Sequence, residues 1–285
     1  MTLTLRPGTP ADAGECGRIM YEAFKAIAEQ HNFPPDFPSP QVATDMLSAQ
    51  LLHRGFYSVV AESDGRILGS NVLDERSPIR GVGPITVDPR SQDKGVGAQL
   101  MQHLLERVAR DRAPGVRLVQ AGFHNRSLVL YTKLGFKVRE PLSIMQGPPL
   151  GLAFPGYAVR PATRADLDAC NSLCRRAHGF DRTAEVVDAI DEGTATVVAR
   201  AGGVSGYATF LGFGGHAVAE TNQDLMALIG AAKSFPGPGF LLPSRNHELF
   251  AWSLSSGLRL VYQMTLMSIG LYAEPETPYL PSILF

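Results

Sequence analysis

Eleven residues near the start of the chain return at a constant offset of 154, and no other feature limits the fold as strongly. Arg6-Pro7-Gly8-Thr9-Pro10-Ala11-Asp12-Ala13-Gly14-Glu15-Cys16 reappears as Arg160-Pro161-Ala162-Thr163-Arg164-Ala165-Asp166-Leu167-Asp168-Ala169-Cys170. In each copy a strand ends at Arg-Pro and an Asp-led amphipathic helix follows, with the threonine or its neighbours offering an N-cap. A chain of 285 residues that starts the same way twice suits two similar domains of about 145 residues each. Val59-Val60-Ala61 is echoed by Val197-Val198-Ala199 at the shorter offset of 138. The first copy therefore carries about 16 extra residues, expected to include the loop His31-Asn32-Phe33-Pro34-Pro35-Asp36-Phe37-Pro38-Ser39-Pro40. Its prolines forbid a helix, and its rings favour docking on another surface.

The second constraint is Val82-Gly83-Pro84-Ile85-Thr86-Val87-Asp88-Pro89-Arg90-Ser91-Gln92-Asp93-Lys94-Gly95-Val96-Gly97-Ala98. It reads as a strand, a glycine-bearing turn and a helix. Val96, Leu100, Leu104, Leu105 and Val108 recur at helical spacing until Pro114-Gly115. Gly-x-Gly fits an ordinary tight turn, or a cradle where backbone N–H groups and a helix N-terminus converge on an anion. Two phosphate motifs fail here. The dinucleotide fingerprint needs a third glycine where Leu100 stands, and a P-loop needs Gly-Lys-Ser/Thr, whereas Lys94 precedes its glycine.

What remains is Gln-x-x-Gly-x-Gly at Gln92, Gly95 and Gly97, after a strand ending Val-Asp-Pro. This resembles the acetyl-CoA-binding signature of the GCN5-related N-acetyltransferases, the GNAT family. A second apolar strand, Val116 to Phe123, leads into His124-Asn125-Arg126-Ser127-Leu128-Val129-Leu130-Tyr131-Thr132-Lys133-Leu134-Gly135-Phe136, which is similar to the family's second hallmark. The resemblance covers residues 3–147. It implies that acetyl-CoA (coenzyme A) is held by Ile85, Thr86, Val87, Gln92, Asp93, Lys94, Gly95, Val96, Gly97, Ala98, Asn125, Ser127 and Tyr131. Within that set Asn125 would hold the pantetheine arm where two strands splay, and Tyr131 would point its hydroxyl at the thioester sulfur. Read without the resemblance, Asn125 is a helix N-cap and Tyr131 a half-buried core residue.

The fold class expected is α/β with an α+β mixed sheet: two GNAT-like domains, each a twisted mixed β-sheet flanked by helices. The division is a catalytic domain at 1–147, a linker at 148–156 and a degenerate GNAT-like domain at 157–285. In the second copy Asn246 and Trp252 stand six residues apart, as do Asn125 and Tyr131, and the stretch from Glu220 to Met226 holds no Gly-x-Gly. An indole N–H cannot act as an acid at neutral pH, so this copy lacks both cradle and acid. Its expected uses are structural support, a wall of the substrate site, or a homodimer contact. The linker, with Leu150, Leu152 and Phe154, and the tail, ending Ile283-Leu284-Phe285, are apolar enough to dock.

The implied reaction is direct transfer of an acetyl group to a primary amine of a small molecule or peptide. In the resemblance, Tyr131 is the donor to the departing thiolate. The general base stays open among Glu75, ranked first, His124 and Asp74. The loop 31–40 is the candidate for acceptor specificity, by its place in the family. A non-catalytic acyl-CoA-binding or sensing protein is the alternative, and retention of Tyr131 favours catalysis. With 26 basic and 27 acidic side chains the chain has no field to select nucleic acid or an anionic membrane, and no apolar run reaches membrane-spanning length. Cys16, Cys170 and Cys174 lack the pairing for a disulfide framework or a zinc site, so no metal is expected. The start, from Met1, shows no secretion leader, which suggests a cytoplasmic protein.

Overall fold

The computed structural model describes residues 3–284; Met1, Thr2 and Phe285 of the motifs above lie outside them. In chain order the first half builds β1 (Thr4–Pro7), α1 (Ala13–Gln30), α2 (Pro40–Leu52), β2 (Phe56–Ser63), β3 (Arg66–Asp74), β4 (Ile79–Val82), β5 (Thr86–Val87), α3 (Val96–Arg110), β6 (Gly115–Ala121) and α4 (Asn125–Lys133). The second half begins with β7 (Lys137–Gln146) and β8 (Ala158–Pro161). It continues through α5 (Leu167–His178), α6 (Thr183–Asp191), β9 (Thr196–Arg200), β10 (Gly203–Ala208), β11 (Ala217–Ala219) and α7 (Asn222–Ala231). Last come β12 (Phe240–Pro243), α8 (His247–Ser255), β13 (Arg259–Gly270) and β14 (Tyr279–Leu280).

Two compact units emerge, and neither is a simple segment of chain. The first gathers the described residues up to Leu118 with Phe123–Lys137 and Ser268–Leu271; the second holds Val119–Gly122, Val138–Met267 and the chain from Tyr272. In the first, β1, β2 and β3 run antiparallel, and β4 pairs antiparallel with β3 and parallel with β6. Cys16, Met20, Ala43 and Leu47 of α1 and α2 pack on Val60 and Val72 of the sheet. The end of β13 completes this unit, where the Leu271 amide donates to Pro114 O at 2.8 Å. In the second, β8, β9, β10, β11 and β14 lie in that hydrogen-bonded order, while β12 pairs with β7.

The repeated sequence has a physical explanation in each unit. Arg6 forks onto Asp12 with two bonds of 2.8 Å, and Arg160 onto Asp166 at 2.8 and 2.7 Å. In both, the Asp carboxylate also accepts from the backbone and hydroxyl of the threonine three residues earlier, at 2.8 and 2.9 Å. The motif thus clamps the end of a strand to the start of a helix with one arginine and one capping box. The extra length of the first copy is not confined to the loop. Helix α1 has 18 residues against 12 in α5, and α2 has 13 against 9 in α6.

The apolar linker packs within the second unit. Leu150 and Phe154 join its core, and the Leu152 amide donates to Gly230 O at 2.9 Å.

Candidate active site

Strand β4 stops at Val82, and the chain breaks through Gly83, Pro84 and Ile85 before resuming as β5. The parallel pairing of β4 with β6 extends only to Gly81 opposite Arg117. Beyond it, β5 pairs with β3 alone, so its other edge carries no strand among the described residues. That pairing requires Gly69, since a Cβ there would sit 2.3 Å from Thr86 O. Thr86 is buried with its hydroxyl unpartnered.

The turn after β5 is held by charge. Asp88 is fully buried and bonds Arg66 at 2.5 Å and Arg90 at 3.0 Å, with the Arg90 amide at 2.9 Å. Burial alone would raise its pKa, but these donors hold the carboxyl far below the usual range. The Gln92 side chain returns to Val87 O at 3.2 Å, and Arg126 of α4 reaches both Gln92 and Asp93. Lys94, beside them, donates to Arg90 O at 3.4 Å.

Gly95 is the N-cap of α3 at φ 81°, a conformation that L side chains adopt only with strain, and no side chain caps the helix. Gln99 is bonded to Gly95 O at 3.1 Å, so the amides of Val96, Gly97 and Ala98 are the orphan donors of the helix end. A Cβ on Gly97 would meet only Val87 and Leu130, at 3.7 and 3.8 Å. Protein packing therefore does not demand glycine at this position of the helix. Uncapped amides, a charge-fixed turn and the free edge of β5 fit an anion with an extended polar arm.

Helix α4 revises the reading of the second motif. Its N-cap is His124, whereas Asn125 is exposed and opens the first turn. In the second unit the N-cap of α8 is Asn246, whose side chain accepts from the Leu249 amide. Gly135 and Gly257 follow the two helices at φ 96° and 97°. Aligned on these caps, His124 corresponds to Asn246, and Tyr131 to Ser253 rather than Trp252. Ser253 is buried like Tyr131 and spends its hydroxyl on Leu249 O at 2.8 Å. Matching by residue identity had slipped by one position, though the second copy still has no tyrosine at this place.

Tyr131 is buried, 6% exposed, with its ring edge-on to Phe136. Its hydroxyl bonds Ser127, and Ser127 Oγ in turn meets His124 Nδ1. Burial pushes the phenol up to about 12, despite the Ser127 bond. Burial, with Arg126 and His31 adding to it, lowers the His124 imidazole to about 4. His124 Nε2 is buried without a partner. Beside it, Phe33 stacks on Phe123 at 4.6 Å and His31 lies 5.0 Å from the same ring. The aromatic loop is therefore docked next to the Tyr131 chain.

The expected base Glu75 is held in an ion pair. Arg107 grips it bidentately at 2.7 and 3.0 Å, near the C-terminal end of α3. Asp74 is committed to Arg76 at 2.7 Å. Sequence gave no sign of these pairings because the partners lie 32 residues apart or in a turn. All three cysteines are free and buried; burial pushes Cys16 up to about 11 and Cys170 to about 12, which removes them as nucleophiles. Among the described residues no cluster of His, Cys, Asp or Glu could hold a metal, and no helix is long and apolar enough to cross a membrane.

A strand broken before a charge-fixed turn, an uncapped helix and a buried tyrosine all belong to the first unit. Residues 54–138 match the family model described as an acetyltransferase (GNAT) domain. Nearly the whole chain shares its fold with solved GNAT structures. An acetyltransferase-class protein of Pyrococcus horikoshii aligns at TM-score 0.76 and 16% identity, over 96% of this chain and 92% of that one. A GCN5-related N-acetyltransferase of Sphaerobacter thermophilus aligns at 0.63 and 17%, over 95% and 96%. A tandem GNAT protein from the clavulanic acid biosynthesis pathway aligns at 0.57 and 14%, over 94% and 98%. No curated protein matches the sequence.

Proposed function

We propose that the first unit transfers an acetyl group from acetyl-CoA to a primary amine of a small molecule or peptide. The observation that carries this is the uncapped N-terminus of α3 behind Gly95 and Gly97, beside the free edge of β5. The α3 amides would receive the pyrophosphate, Arg126 adding positive charge at the rim. The free edge of β5 would bond the amides of the arm and orient the thioester carbonyl. When bound, acetyl-CoA supplies an acetyl group on a thiol leaving group of pKa about 8.5.

The chain's own groups then divide the proton work. In the direction that serves a donor, His124 Nδ1–H gives a hydrogen bond to Ser127, Ser127 gives one to the Tyr131 oxygen, and the Tyr131 proton is left for the departing sulfur. Full transfer from a phenol near 12 to a thiolate near 8.5 is uphill by about 5 kcal/mol. Tyr131 therefore acts as a hydrogen-bond donor that stabilises developing charge. With Glu75 and Asp74 in ion pairs, His124 is the remaining candidate to accept from the amine, through Nε2. Neutral at physiological pH, it orients an amine that arrives already deprotonated.

The deep burial of Tyr131 favours the second reading, an acyl-CoA-binding protein without turnover. Release of free thiol from acetyl-CoA across a panel of amines separates the two. Amine-dependent release carries the transferase; stoichiometric binding without release in any amine carries the sensor.

A further inference from the structure

The second unit repeats much of the first unit's element order, with β11 alone before α7 where β4 and β5 precede α3, and the features left open in the first are closed. Helix α7 stands where α3 stands, following β11 as α3 follows β5. It is capped: Thr221 accepts from the Asp224 amide at 3.3 Å, and the Asp224 carboxylate accepts from the Thr221 amide at 3.0 Å and its hydroxyl at 2.6 Å. Asp224 is fully buried, with Ser205 at 2.5 Å and Arg200 at 3.1 Å on the same carboxylate. A fixed anion thus already satisfies this helix end.

The edge of β11 is also taken. Val218 pairs with Tyr279 and Ala217 with Leu280, and the Ala219 amide donates to Pro278 O at 3.0 Å. Leu280 lies in one core cluster with Ala217 and Ala219 of β11 and Phe240 and Leu242 of β12. The segment is held along its length. The Glu276 amide bonds Ala177 O at 3.1 Å and the Ile283 amide bonds Phe213 O at 2.8 Å. The Tyr279 ring stands edge-on to His178 at 5.1 Å, and Ser282 accepts from Arg182 at 3.3 Å. Arg182 is itself buried in a fork with Glu185.

We propose that the second unit is a coenzyme site closed by its own chain. The Asp224 carboxylate stands where the first unit would seat a pyrophosphate, and the segment 278–282 stands where it would seat the pantetheine arm. The comparison rests on the acetyl-CoA reading of the first unit; the seating of the segment against β11 does not. The segment adds a strand to an otherwise free edge, the mode by which peptides bind sheet edges. Degeneration of this copy is thus an exchange of ligand: a peptide of the same chain replaces the coenzyme.

Hydrogen exchange on the intact chain tests this without any substitution. The amides of Ala219, Glu276 and Ile283 are expected to exchange at least about 10²-fold more slowly than unstructured amides. In Leu280→Asp, protection at Ala219 should fall by about 10-fold or more while amides of α3 keep theirs, and a synthetic peptide of residues 274–283 should restore it. Fast exchange at Ala219 in the intact chain, or protection indifferent to Leu280→Asp, overturns the proposal. Calorimetry with acetyl-CoA separates it from the reading of the first unit. Two equivalents per chain overturn the closed site, whereas none, with Ala219 protected, overturns only the acetyl-CoA assignment.

Discussion

Tyr131 ends a chain of hydroxyl and imidazole groups, and its value depends on donating outward. Tyr131→Phe keeps the ring against Phe136 and removes only that proton. Turnover should fall by about 10²-fold, with coenzyme affinity within a few-fold; steady-state kinetics with calorimetry checks both, and unchanged kcat would remove Tyr131 from the mechanism. His124 sets the pH behaviour. Its imidazole, at about 4, is neutral across the working range, so the rate should rise with pH as the amine deprotonates, without an inflection near 6.5. Stability follows the same shifts. Folding favours the neutral His124, so its contribution is complete above about pH 6.5 and is lost as pH falls toward 4. Asp12, held at about 2 by Arg6 and Thr9 against its burial, contributes fully above about pH 4 and fails as pH falls toward 2. Melting temperature against pH should show both losses, and His124→Asn should diminish the upper one.

At the scale of elements, α3 separates a stability effect from a binding effect. Gly97→Ala replaces the poorest ordinary helix former with the best, and the new methyl meets neighbours only at 3.7 and 3.8 Å. The protein should gain up to about 1 kcal/mol, while acetyl-CoA binds less tightly because the methyl stands at the cradle. Gly97→Glu should abolish detectable binding by bulk and charge. Undiminished affinity in either variant, measured by calorimetry, would move the coenzyme elsewhere. The loop, helix α3 and the Tyr131 helix were legible in sequence because each combines a periodic face with glycines at fixed distances. Other parts had no such signal. Asn125 and Asn246 are the same residue type at different helix positions, and only the caps at His124 and Asn246 revealed the slip. Glu75 looked like a free carboxylate because its partner Arg107 is set by tertiary packing. Thr221-x-x-Asp224 is a capping box that sequence does show, but a search for glycines passes over it. β14 spans two residues, too short for any period.

At the scale of the whole molecule, the two copies in sequence and the two compact units in space are different divisions. A chain cut after Gly147 would match the first copy, yet it would lack Ser268–Leu271, which belongs to the first unit. The bond from the Leu271 amide to Pro114 O would be lost. So would the close contact at Gly115, where a Cβ would lie 2.8 Å from Leu271 O. Strand β7 would also lose β12, with which it pairs from Leu142 to Met145. The edge of β6 and both edges of β7 would then be bare, and bare apolar edges associate. The 1–147 chain should therefore be aggregated or poorly folded by light scattering and circular dichroism, and inactive, although every proposed coenzyme contact is within it. Replacing Ser253 by tyrosine in the full chain should add no second activity, because Asp224 and the segment 278–282 still fill the second site. A soluble, monomeric 1–147 chain as active as the full protein would show that the first copy folds alone, and that strand 268–271 is dispensable to the unit it joins.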